Sequence, residues 1–124
     1  MIKHIAFYGS LRKGFSNSLS RTALVSLEYI GPCTIRGKIY DLEHYPALKP
    51  GEGEVVGDLF RILDKSILPI IDAYELQDNS NPHLAGFKRK AVELVAPKLA
   101  CWVYYYQGIV EPQQYIPSGN WQNK

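Results

Sequence analysis

The sequence predicts an α+β fold, a small mixed β-barrel with two flanking helices. Strand-type runs dominate, helix-spaced segments are few, and the two kinds neither alternate as regular βα units nor leave a purely β pattern. A mixed sheet that curls or closes, with two helices packed outside it, satisfies that count. At 124 residues the chain is near the commonest domain size, so residues 1–124 read as one domain with no internal repeat or low-complexity segment. A chain of this length buries roughly two-thirds of its unfolded surface and needs no disulfide or metal to fold.

The first strand is His4 to Tyr8; Ile2, Ala6 and Phe7 suit a buried strand, and Gly9 lets the backbone turn without a Cβ clash. The polar loop Arg12-Lys13-Gly14-Phe15-Ser16-Asn17 then leads into a helix over Asn17 to Ser26, with Leu19, Ala23 and Leu24 at near-helical spacing. Leu27 to Leu42 is strand-rich, punctuated by Gly31-Pro32 and Gly37. Glu43 to Glu54 holds two prolines and two glycines and reads as loop; Val55 to Ile62 alternates as a further strand. Asp64 to Tyr74 is the second helix, and Pro69 fits if the regular turns begin near Ser66. After the irregular stretch Leu76 to Gly86, Phe87 to Val95 and Leu99 to Tyr106 form a hairpin about Ala96-Pro97-Lys98. The tail Gln107 to Lys124 reads as coil, with Trp121 fastening it to the body.

Bulk properties narrow the function. The net charge of +2 is spread without a basic block, which argues against nucleic acid as a partner despite nine tyrosines. No apolar run approaches the roughly 20 residues of a membrane span, and the first residues carry no secretory pattern; the expected setting is soluble and cytoplasmic. Cys33 and Cys101 read as small buried hydrophobes in a reducing compartment, with a disulfide as the lesser alternative. His4, His44 and His83 lack metal-ligand spacing, and Cys33 and Cys101 form no paired motif, so a metal site is not expected. Ser10 lies in Tyr-Gly-Ser-Leu and not in a nucleophile elbow.

Two places can carry chemistry. The turn Tyr8-Gly9-Ser10-Leu11 can aim several backbone N–H groups at one point, a concavity that suits a carboxylate. It is neither a phosphate loop nor a dinucleotide fingerprint, so the expected ligand is a small acid; taken alone it is also an ordinary strand–turn–helix junction. The second place is Asp72-Ala73-Tyr74-Glu75, two carboxylates at i and i+3 in a last helical turn, where the macrodipole opposes them. Both effects favour the protonated form and suit a general acid/base near neutral pH. The bland alternatives are solvated acids, or Asp72 paired with an arginine. Arg89 shares a strand face with Phe87 and either neutralises a buried acid or faces solvent. In Tyr104-Tyr105-Tyr106, Tyr105 must point away from the other two.

In chain order Tyr8-Gly9-Ser10-Leu11-Arg12, Tyr45-Pro46-Ala47-Leu48, Asp72-Ala73-Tyr74-Glu75, Phe87-x-Arg89-x-x-Val92, Ala100-x-Trp102-x-Tyr104 and Ser118-Gly119-Asn120-Trp121 make up a set. The set resembles the γ-glutamylcyclotransferase-like family, which includes the avirulence-induced-gene-2-like (AIG2-like) proteins. The resemblance implies a small barrel with a cavity where the Tyr-Gly-Ser-Leu turn meets the family glutamate, which falls on Glu75. That glutamate takes a proton from the substrate's α-amino group, which attacks the γ-carbonyl and closes a lactam. It then returns the proton to the departing amine, yielding 5-oxoproline, with no metal, cofactor or covalent intermediate. The substrate-binding set is then Tyr8, Gly9, Ser10 and Leu11, with Arg89 and Tyr104 beside the pocket. Leu76, Phe87 and Asn120 depart from the residues frequent in the family, and the segment Leu76 to Gly86 is longer than usual. These departures bear on the leaving group more than on the fold. The sequence therefore yields an expected cyclotransferase for a γ-glutamyl amine or amino acid. The rival readings are a non-catalytic module that binds a γ-glutamyl-like molecule, and a single-strand nucleic-acid binder using the tyrosines. Oligomeric state is open.

Overall fold

Five strands, one α-helix and two short 3-10 helices in the tail, Pro112–Gln114 and Trp121–Asn123, make up the regular structure of a computed structural model describing residues 2–9, 25–43, 45–77 and 86–123; side chains at 73–77 and 123 lie outside the description. The strands are β1 (His4–Phe7), β2 (Leu27–Asp41), β3 (Pro46–Ile62), β4 (Phe87–Glu93) and β5 (Ala100–Tyr106), and helix α1 is Ile67–Gln77. They form one sheet in the order β2-β3-β1-β5-β4. Every neighbouring pair is antiparallel except β1 and β5, which run parallel with Ile5 opposite Trp102.

This sheet is open, which corrects the expected barrel. Its ends approach at one bridge, where the Thr34 amide donates to the Ala96 carbonyl (2.8 Å) and the Val95 amide to the Thr34 carbonyl (2.9 Å), but no ladder continues from it. Of the two flanking helices, only α1 is described. The one expected over Asn17 to Ser26 lies outside the described residues except for its last two, which are helical.

A second correction concerns Glu43 to Glu54, expected as loop. β2 ends at Asp41, and β3 already runs from Pro46 onwards. Proline is tolerated at Pro46 because this end of β3 pairs with β2 alone; β1 joins only at Asp58 to Arg61. The glycines serve a bulge. The register jumps between Arg36↔Glu54 and Lys38↔Lys49, so residues 50–53 bow out opposite Gly37. A Cβ on Gly53 would come within 2.8 Å of the Gly37 carbonyl oxygen, and Gly53 has a φ of +139°, so a side chain fits neither the space nor the conformation.

Strand alternation gives the sheet two apolar faces. On one lie Ala6, Tyr8, Cys33, Ile35, Leu59, Cys101, Val103 and Tyr105; on the other Ile5, Phe7, Phe60, Phe87, Tyr104 and Tyr106, covered by Ile67 and Ile71 of α1. Tyr105 thus points away from Tyr104 and Tyr106, as expected. Helix α1 begins after Asp64, whose carboxylate accepts from the Ser66 amide (3.0 Å) and hydroxyl (2.7 Å), and Pro69 falls in the first turn, where its missing N–H is no loss. Those Ser66 bonds, hydroxyl first, hold the Asp64 carboxyl below the usual carboxylate range. The tail folds back over the first face: the Ile116 amide donates to the Ile39 carbonyl (3.0 Å), the Val56 amide to that of Gly119 (2.7 Å), and Trp121 packs half-buried.

Cys101 is fully buried, and burial first, with the Cys33 thiol second, pushes its own thiol far above the usual range; burial also raises Tyr105. Both stay protonated in the fold where an unfolded chain would ionise, so the native state binds the more protons. Stability should fall as pH rises past about 8.5, by up to about 1.4 kcal/mol per pH unit per group. Urea midpoints measured from about pH 7 to pH 10 should therefore decline, and Cys101→Val should flatten the decline. A wild-type midpoint that stays constant over that range would contradict the assignment.

Candidate active site

Helix α1 carries Asp72 to the edge of the second face, one residue beyond the buried Ile71. There it meets the β4–β5 hairpin. Arg89 of β4 donates Nε to Asp72 Oδ1 (2.9 Å) and Nη2 to Oδ2 (3.0 Å), a side-on fork. The Tyr104 hydroxyl of β5 donates to Asp72 Oδ1 at 2.6 Å. Beneath the guanidinium lies the Trp102 ring, 4.2 Å from Arg89 Cζ. Strand register explains the convergence: Arg89 is opposite Tyr104, and Ala91 is opposite Trp102.

Tyr104 is engaged at both ends. Its main-chain carbonyl accepts the Tyr8 hydroxyl (2.5 Å), and its ring lies 6.5 Å from that of Phe7. The end of β1, where Gly9 begins the turn, is therefore tied to the same residue that holds α1. Gly9 itself lies against Pro46: a Cβ there would reach the Pro46 Cγ at 2.8 Å. Further along β3, Lys49 Nζ donates to the Tyr106 carbonyl (3.0 Å). A cavity of about 360 Å³ opens beside this junction, lined by Asp72, Gly86, Phe87, Lys88, Arg89 and Gln107.

Of the residues expected to bind or react, Tyr8, Gly9, Arg89 and Tyr104 are brought to this region, joined through Asp72 and the Tyr104 carbonyl. Ser10 and Leu11 lie outside the described residues. Glu75 sits in α1 three residues after Asp72, and its side chain is likewise outside the description. Asp72 proves to be the arginine-paired acid that was one of the sequence's two bland readings.

Asp58 went unremarked in the sequence. It is 6 % exposed, on β3, directly across from Phe7 at the end of β1. An acid inside the alternating run Val55 to Ile62 was the signal that could have found it. Among the described residues no group of three or more His, Cys, Asp or Glu is arranged to hold a metal.

The junction makes a stability prediction. Arg89→Met and Tyr104→Phe should each cost about 1–3 kcal/mol, since each weakens a bond to a carboxylate a third or less exposed. Because both act on one carboxylate, the double variant should depart from additivity by at least about 0.5 kcal/mol. Additive losses in urea unfolding would show that the two contacts are independent.

Comparison with known proteins agrees with this architecture. Residues 5–123 match the family model described as gamma-glutamyl cyclotransferase, AIG2-like. The gamma-glutamylcyclotransferase family protein ytfP of Citrobacter rodentium is 35% identical over 121 residues, covering 97% of this chain and 96% of that protein. Its namesake in Escherichia coli K12 is 31% identical with the same coverage. The solution structure of Escherichia coli ytfP superposes with a TM-score of 0.68 at 32% identity over 95% of each chain. An AIG2-like protein of Mus musculus shares the fold alone, with a TM-score of 0.69 at 19% identity over 97% of this chain and 88% of its own. The chain belongs to the gamma-glutamyl cyclotransferase, AIG2-like family.

Proposed function

We propose that this protein cyclises a γ-glutamyl amine or γ-glutamyl amino acid to 5-oxoproline, releasing the amine, with Glu75 as general acid/base. Family membership supports cyclotransferase chemistry in general. The observation that carries the finer reading is the double role of Tyr104. Its hydroxyl holds the helical turn of Asp72, one turn before Glu75, and its carbonyl holds Tyr8, one residue before Gly9. The two places that the reaction needs are thereby tied to one residue of β5.

In this reading the backbone of Tyr8 to Leu11 receives the α-carboxylate of the γ-glutamyl group, and Tyr8, Arg89 and Tyr104 border the pocket. The α-amino group, as the free amine, attacks the γ-carbonyl carbon and the C–N bond of the lactam forms while Glu75 takes one proton from that nitrogen; the bond to the leaving amine breaks as Glu75 gives this proton to the departing nitrogen. The nucleophile belongs to the substrate and ring closure is intramolecular, so the protein's task is to fold the chain of the substrate and to move one proton. Asp72 is unsuited to that proton transfer, because its two oxygens are committed to Arg89 and Tyr104.

The test is Glu75→Gln, which keeps the shape and removes the acid. Release of 5-oxoproline from a panel of γ-glutamyl compounds should fall by about 10²–10⁴-fold with the unfolding midpoint little changed. Turnover close to wild type would remove Glu75 from the mechanism. Binding of γ-glutamyl compounds by the wild type without any 5-oxoproline would favour the non-catalytic module.

A further inference from the structure

We infer that the cavity beside Asp72 is the leaving-group subsite and that it selects a leaving amine bearing a carboxylate, as in a γ-glutamyl amino acid, over a plain alkylamine. The inference rests on the proposed cyclisation and names its substrate class. A guanidinium has five N–H donors and two edges able to fork a carboxylate. Arg89 spends its side-on edge on Asp72, through Nε and Nη2. Its end-on edge, Nη1 with the second Nη2 hydrogen, has no acceptor among the described residues, yet Arg89 lines the cavity.

That edge is held ready. Asp72 fixes it from one side, the Trp102 ring lies 4.2 Å below, and the Arg89 side chain is only 21% exposed. An arginine fixed in this way loses little further freedom when it grips a second carboxylate. Lys88 also borders the cavity, but strand alternation turns its side chain to the face of Tyr105 and Lys90, so Arg89 is the cation that a tail would meet. Phe87, 8% exposed, adds an apolar wall, and Gln107 a carboxamide whose Nε2 donates to the Tyr105 carbonyl (2.9 Å). A free cationic tail would meet Arg89 as a like charge. A neutral alkyl tail would leave the end-on edge unfilled.

Two near-isosteric pairs test this. γ-Glutamylglycine and γ-glutamylethylamine differ in a carboxylate against a methyl group at the end of the leaving amine, and turnover of each gives 5-oxoproline. Their desamino analogues, glutarylglycine and glutaryl ethylamide, cannot cyclise, so calorimetric binding reads the subsite without the reaction. Wild type should prefer the glycine member about tenfold or more in kcat/KM and in affinity, roughly the worth of one charge-assisted fork. Arg89→Lys keeps a cation beside Asp72 but loses the second fork, and should reduce the preference to about threefold or less. Equal binding of the two glutaryl compounds to wild type would overturn the inference, as would a preference that Arg89→Lys leaves intact. Selective binding of glutarylglycine with no 5-oxoproline from either substrate would uphold the subsite and reject the cyclisation. Turnover of both substrates at equal kcat/KM would do the reverse.

Discussion

The bonds meeting at Tyr104 are what the arrangement of this molecule depends on. β1 and β5 run parallel with a short ladder, Ile5 opposite Trp102, so the β5 carbonyl two residues on is available to a side chain, and the Tyr8 hydroxyl takes it. The Tyr104 phenol in turn donates to Asp72, which is already forked by Arg89. One strand residue thereby connects three elements distant in sequence: the end of β1, the middle of α1 and the hairpin β4–β5. A partly buried carboxylate with three charge-assisted bonds has little reason to leave them, since each is stronger than its neutral counterpart and breaking one exposes the rest to an incomplete partner set. Helix α1 is short and would be marginal alone; two buried isoleucines and this carboxylate hold it to the sheet.

The rest of the fold supplies the surface on which that junction stands. The long hairpin of β2 and β3 is bent by the bulge at residues 50–53, and the sheet curls until Thr34 and Ala96 touch without closing a barrel. Curling shields one face with its own strands and the returning tail; the other face is left to α1. Aromatic rings dominate this second face, with Phe7 near Phe60 (5.6 Å) and Phe87 near Tyr106 (5.3 Å). Large flat groups of this kind give a stiff floor, because they lose few rotatable bonds per area buried.

For a γ-glutamyl cyclisation such stiffness is the useful property. Intramolecular attack needs the substrate chain bent so that its own amine approaches its own carbonyl, and a small displacement of either end is costly in rate. Arg89 has a place in both halves of the proposal: one edge positions the helix that bears Glu75, and the other edge is offered to the departing group.

The strands β1, β2, β4 and β5, helix α1 with Pro69 in its first turn, and the split of the three tyrosines were legible in the sequence, because each is set by local spacing and side-chain alternation. The order of short motifs likewise pointed to the family that the comparisons show. Three matters were decided only in the tertiary structure. Proline and glycine at 46–53 signal loop locally, yet an unpaired edge and a bulge accept both within a strand. Closure of a sheet depends on how its ends meet across the whole chain, which no window of residues contains. The partner of Asp72 is seventeen residues away in Arg89 and thirty-two away in Tyr104; periodicity gives each residue its face, but only the strand register brings the three to one point.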